Sequence, residues 1–254
     1  MLSRLLSCVL CVPLLAASAP SRRRMAPAAA RRVTLKTSDG WSVAAWYRAP
    51  RPGREAVVLI HGLGSSHGEW YSFEKRLRAL GWGTLAVDMR GHGLSLSGPR
   101  GRTRYSSFGR GADWVAATRD IGAAVEFLVK EGTPKKRIGL IGASIGANLA
   151  AQAAVALSSG TEKSEGRAHR QGIGWLVLLS PGADYAGVRV PDSFPCPTAV
   201  AASRPDSYAF AEARSLARSG RADFFKASSG HGVNMFPDKA FLGSLLRWIE
   251  LRSR

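Results

Sequence analysis

Residues 137–148 read Arg-Ile-Gly-Leu-Ile-Gly-Ala-Ser-Ile-Gly-Ala-Asn: an apolar strand pattern runs into Gly-x-Ser-x-Gly and then into an alanine-rich helical pattern. A serine between a strand and a helix requires a very tight turn, which drives its backbone into a strained region and lifts its hydroxyl above the sheet edge. Gly142 and Gly146 lack Cβ atoms, so strand and helix can approach closely. The helix N-terminus behind Ser144 places partial positive charge where an oxyanion would form. Ser144 is therefore a candidate nucleophile. The plain alternative is a glycine-rich turn with no chemistry, and only the rest of the chain separates the two.

The rest of the chain alternates strand and helix patterns. Val33–Thr37 and Trp41–Tyr47, joined at Ser38-Asp39-Gly40, read as an antiparallel hairpin. Ala56–Ile60 is a continuous apolar run, as expected of a strand buried on both faces of a mostly parallel sheet. It ends in His61-Gly62-Leu63-Gly64-Ser65-Ser66, a glycine-rich turn able to point a backbone N–H at a reacting carbonyl oxygen. Helical spacing predicts a helix over Glu69–Leu80, and a strand at Thr84–Val87 leads into Asp88-Met89-Arg90-Gly91-His92-Gly93.

The polar stretch Ser97–Gly111 precedes a helix predicted over Asp113–Lys130, and the elbow helix runs to Leu157. Ser159–Gly172 reads as an exposed loop. Strands follow at Trp175–Ser180 and Pro197–Ala202, then a helix over Ser207–Arg218, a strand at Asp223–Ala227 and a final amphipathic helix through Trp248. Counting the elbow strand, this predicts one three-layer α/β/α sandwich over residues 33–254 with a mostly parallel, eight-stranded sheet.

Residues 1–32 stand apart. Arg4, the apolar run Leu5–Leu15 and Ala16-Ala17-Ser18-Ala19 have the layout of a secretory signal peptide, which predicts a secreted or periplasmic protein. A start at Met25 would instead give a cytoplasmic one. Without the leader, Cys196 is the remaining cysteine, so neither an internal disulfide nor a cysteine-based metal site is expected. The formal charge of +18 is scattered, with a cluster at Arg22–Arg24, Arg31 and Arg32. No basic and aromatic stripe accompanies it, so nucleic acid is not an expected partner. Peripheral attraction to anionic membrane surfaces is compatible with that charge.

Together, His61-Gly62-Leu63-Gly64, Asp88-Met89-Arg90-Gly91-His92-Gly93, Gly142-Ala143-Ser144-Ile145-Gly146 and Gly230-His231-Gly232 resemble the α/β-hydrolase superfamily. Residues His61–Arg100 are most similar to its serine aminopeptidase and monoacylglycerol-lipase-like branch. That branch carries a lid between the sixth and seventh core strands, whereas Ser180–Pro197 leaves no room for one. In this respect the chain resembles capless esterases of the dienelactone-hydrolase kind.

The resemblance implies a serine, acid, histidine order. His231, after the last strand, is the expected base; His169 is the other histidine that follows Ser144. Asp206, after the seventh strand, is the favoured acid and Asp184, after the sixth, the alternative; Asp206 could instead cap the helix starting at Ser207. Asp192 and Asp223 are weaker candidates. The oxyanion donors implied are the backbone N–H groups of Leu63 and Ile145, with His61, Asp88 and His92 bracing their loops. The expected activity is hydrolysis of a small-molecule carboxylic ester or thioester through an acyl-enzyme, with no cofactor and no metal. A peptidase or amidase, or a silent binding module on the same scaffold, are the alternatives.

Overall fold

The computed structural model describes residues 29–159, 161–164, 167–170 and 172–252. The signal-peptide layout read from Arg4 to Ala19 lies outside the described residues. Eight strands build the central sheet: β1 (Arg31–Lys36), β2 (Ser42–Arg48), β3 (Ala56–Ile60), β4 (Gly83–Val87), β5 (Ile138–Ala143), β6 (Trp175–Leu179), β7 (Thr198–Ser203) and β8 (Asp223–Ala227). Their order is β8-β7-β6-β5-β3-β4-β2-β1, and two-residue strands at Ser97–Gly98 and Gly101–Arg102 extend the edge beside β2. β3 through β8 are mutually parallel, whereas β2 runs antiparallel to both β4 and β1.

Alternation of side chains along each strand supplies both outer layers. Val58, Ile60, Leu140, Leu176, Leu178 and Val200 face α2 (Thr118–Lys130), α3 (Ile145–Ser158) and α4 (Ser207–Arg218). Val57, Leu59, Ile141, Val177, Leu179 and Ala199 face the other way, onto Trp70, Phe73 and Leu77 at α1 (Tyr71–Ala79) and Phe241, Leu245 and Ile249 of α5 (Lys239–Arg252). This explains why the inner strands read as unbroken apolar runs. Each fully buried Leu or Ile contributes roughly 1.5–3 kcal/mol relative to exposure, so the sheet carries most of the core.

Three expectations are corrected. The helix predicted from Glu69 starts as a 3₁₀ turn at His67–Trp70, with Ser66 Oγ accepting from Gly68 N–H. The helix predicted over Asp113–Lys130 is broken into a short piece, Ala112–Val115, and α2. At the break, Ala117, Arg119 and Asp120 N–H donate three residues back, which turns the axis. The two pieces answer to different neighbours: Trp114 packs against Phe108, while the fully buried Asp120 receives the Arg90 guanidinium at 2.7 Å. Finally, Ser159–Gly172 is not a plain loop, because Thr161–Ser164 pairs with Arg167–Arg170 as an antiparallel ribbon.

All parallel strands end on the same edge. The order reverses between β3 and β5: the chain leaves β3 for β4 on one side and reaches β5 on the other. Such a reversal opens a crevice at the carboxyl ends, the place where ligands bind in open α/β sheets. Ser144 follows β5 and the His61–Ser66 turn follows β3, so both candidate loops meet at this crevice. The β6–β7 connection carries a small ribbon, Asp184–Tyr185 with Val188–Arg189, rather than a helical cap.

Candidate active site

Ser144 has φ 55° and ψ −126°, one of three non-glycine residues with positive φ among those described. The close approach around it is severe. A Cβ on Gly142 would stand 2.1 Å from the Gly146 carbonyl oxygen, and one on Gly146 would stand 2.4 Å from His61 O. Both positions therefore exclude any side chain. Ser144 N–H donates to Leu179 O, and Ser144 O accepts from Ala147 N–H, each at 2.8 Å.

His231 sits on the loop after β8, and its Nδ1 lies 2.7 Å from Asp206 Oδ2. Asp206 follows β7 at the N-cap position of α4, but its side chain makes no capping hydrogen bond. It serves the imidazole instead. The other candidate acid is engaged elsewhere: Asp184 Oδ1 accepts from Gly187 N–H at 2.7 Å and from Arg110 at 2.8 Å. His169 lies in the outlying ribbon, which is not hydrogen-bonded into the central sheet. Asp223 pairs with Trp248 Nε1 at 2.6 Å.

The His231 loop is tied to two strand ends by serines that no local sequence pattern singles out. Ser180 Oγ, after β6, accepts from Gly232 N–H at 2.9 Å, and Ser203 Oγ, at the end of β7, donates to Gly230 O at 2.6 Å. Gly232 packs so that a Cβ there would meet the Ala143 side chain at 3.2 Å, beside Ser144. The imidazole is solvent-accessible, at 43% side-chain exposure against 16% for Asp206. Ser144 Oγ and His231 form no direct hydrogen bond in this structure; such bonds are often long or misaligned until substrate is bound.

On the opposite flank, a Cβ on Gly62 would meet the Ser144 Cβ at 3.4 Å, which fixes the β3 loop directly beside the serine. Neither Leu63 N–H nor Ile145 N–H has an acceptor among the described residues. The loop that carries Leu63 is braced from behind. His92 Nδ1 bonds Arg90 O at 3.0 Å, which leaves Nε2 to accept from Gly64 N–H at 3.2 Å. His61 does the equivalent: Nδ1 bonds Gly62 O at 2.7 Å and Nε2 accepts from Met89 N–H at 3.0 Å. Asp88, fully buried, accepts from His67 N–H and Leu94 N–H, at 2.8 and 2.9 Å. Glu69 accepts from Gly62 N–H at 3.1 Å, and burial raises its pKa.

His61 carries a pH consequence. Burial, reinforced by the neighbouring His92, pushes its pKa down from 6.5 to about 4, so it is held neutral as the bracing geometry requires. Between those values the unfolded chain binds the extra proton and the folded chain does not. The associated stability is therefore complete above pH 6.5 and is lost as pH falls toward 4. At roughly 1.4 kcal/mol per pH unit, the loss amounts to about 3 kcal/mol. Urea unfolding of His61→Gln between pH 7 and 4.5 is expected to show a flatter decline than wild type; parallel curves would remove His61 as the cause.

Residues 57–252 match the model of the alpha/beta hydrolase family. Among solved structures, the Pyrococcus furiosus esterase Pf2001 superposes with a TM-score of 0.59 at 20% identity, covering 88% of this chain and 90% of that one. The esterase EaEST from Exiguobacterium antarcticum gives 0.60 at 13% identity, with 86% and 99% covered. At these identities the likeness is one of fold. No curated protein matches the sequence.

Proposed function

The chain belongs to the alpha/beta hydrolase family, and we propose that within it this protein is a serine hydrolase that cleaves small carboxylic esters or thioesters through an acyl-enzyme on Ser144. The reading rests on one juxtaposition. A serine strained at an elbow stands between a carboxylate-paired histidine and a glycine-rich loop with an open backbone donor.

A serine hydroxyl is a weak nucleophile at neutral pH and needs a base. His231 takes the Ser144 proton as Oγ attacks the carbonyl carbon, and the carbonyl oxygen becomes an oxyanion. Leu63 and Ile145 N–H donate to that oxyanion, aided by the α3 N-terminus. His231 then gives its proton to the leaving group, and the acyl-enzyme remains. Water activated by the same imidazole attacks the acyl carbon and releases the acid and free Ser144. Asp206 holds the Nδ1–H tautomer and stabilises the imidazolium without accepting its proton.

A fluorophosphonate probe reacts with a serine only when that serine is activated, so it tests the reading directly. Wild-type protein is expected to be labelled stoichiometrically, with the adduct mapping to the peptide that contains Ser144. Failure to label would favour a binding module on a hydrolase scaffold. If the protein labels, esters and amides sharing one acyl group then separate esterase from amidase.

A further inference from the structure

One wall of the crevice faces Leu63 across Ser144. Strand order puts β5 between β3 and β6, so the β3 loop stands on one flank of the serine and the β6–β7 connection on the other. That connection folds back through Asp184–Tyr185 and Val188–Arg189, with Ala186 at φ 53° and Gly187 at φ 88° between them. Two successive left-handed residues make a tight hairpin turn, and alanine adopts that conformation only when its surroundings enforce it.

The enforcement is visible. Asn148, fully buried in the first turn of α3, donates through Nδ2 to Gly182 O at 2.7 Å and Val188 O at 2.8 Å, and accepts from Gly182 N–H at 3.2 Å. Ala186 O accepts from Gly111 N–H at 2.8 Å. The Tyr208 hydroxyl accepts from Asp184 N–H and donates to Asp184 O, both at 3.0 Å. The ribbon is thus pinned to the helix that starts at the elbow. Within it the Tyr185 ring meets that of Tyr208 at 5.6 Å and 66°.

The Tyr185 hydroxyl donates to Ser180 O at 3.4 Å, a long bond, at the strand end where Leu179 O accepts from Ser144 N–H and Ser180 Oγ accepts from Gly232 N–H beside His231. Burial, then the charge of Asp206, pushes the phenol up to about 12. It remains an O–H donor at neutral pH. Its hydrogen is weakly committed and can be redirected.

We propose that Tyr185 is a further catalytic residue, whose hydroxyl donates to the leaving-group oxygen and so makes this site selective for oxygen esters over thioesters. The inference rests on the acyl-enzyme reading. Leu63 and Ile145 claim the carbonyl oxygen on the β3 side. The leaving group departs on the side of His231, whose carboxylate partner Asp206 is the charge that acts on Tyr185. In the step concerned, the bond from Ser144 Oγ to the carbonyl carbon has formed and the bond from that carbon to the alkoxy oxygen breaks. The electron pair passes to that oxygen, which takes the proton of His231. Tyr185 keeps its own proton and supplies a hydrogen bond to the developing charge. A sulfur leaving group is a weak acceptor and gains little from the same donor.

The test compares ethyl acetate with S-ethyl thioacetate, which share an acyl group, on wild type and Tyr185→Phe. The variant is expected to lose about 10- to 100-fold in kcat/KM for the oxygen ester, as for a hydrogen bond to a charged group, and several-fold less for the thioester. Both rates come from the same preparation, so their ratio does not depend on how much of the variant is folded. Equal losses on the two substrates, or no loss on either, would overturn the proposal. Fluorophosphonate labelling of both proteins identifies the step that failed: if wild type does not label, the acyl-enzyme reading falls and this inference with it.

Discussion

Ser144→Ala is expected to lower kcat for ester hydrolysis by roughly 10⁶-fold, the scale on which removal of a catalytic serine acts in such a cooperative unit. The thermal unfolding midpoint should barely move. Alanine keeps the Cβ at the strained φ of 55°, and the backbone bonds to Leu179 O and from Ala147 N–H do not involve the hydroxyl. Loss of activity with retained stability is therefore the signature of a nucleophile. Activity near wild type would remove Ser144 from the mechanism, and a collapse in stability would recast the elbow as architecture.

The second large effect concerns the acid. Asp206→Asn is expected to cost about 10⁴-fold in kcat, because an amide that donates to Nδ1 holds the wrong tautomer and leaves the imidazolium unsupported. The 2.7 Å contact between Asp206 and His231 motivates this. Asp184→Asn is the matched control: its carboxylate serves Gly187 N–H and Arg110, so the expected change is small and falls on ribbon stability. Measuring kcat for both variants decides between the two carboxylates. A larger loss in Asp184→Asn would reverse the assignment.

Much of this was legible along the chain because it depends on local physics. Continuous apolar runs mark strands covered on both faces, and that is what β3, β5 and β6 are. The Gly142-Ala143-Ser144-Ile145-Gly146 turn announces itself because tight strand-to-helix packing tolerates no Cβ at either glycine. The motifs from His61 to Gly232 point to the family, the apolar runs to the sheet, and the short Ser180–Pro197 connection to the missing cap.

What the sequence alone left open are matters of distance between residues far apart in the chain. Asp184 and Asp206 both follow a strand end, and nothing local distinguishes them; β7 and β8 lie side by side, so the loop after β7 meets the His231 loop after β8. The break between Ala112–Val115 and α2 has no glycine or proline to signal it. It arises because Trp114 and Asp120 are claimed by separate partners brought in by the fold. Tyr185 was invisible for the same reason: its meaning comes from Asn148, Gly111 and Tyr208, which converge on its ribbon from three separate parts of the chain. Sequence determined which residue types stand at the strand ends; tertiary structure decided which of them touch, because hydrogen-bond partnership is set by separation in space rather than along the backbone.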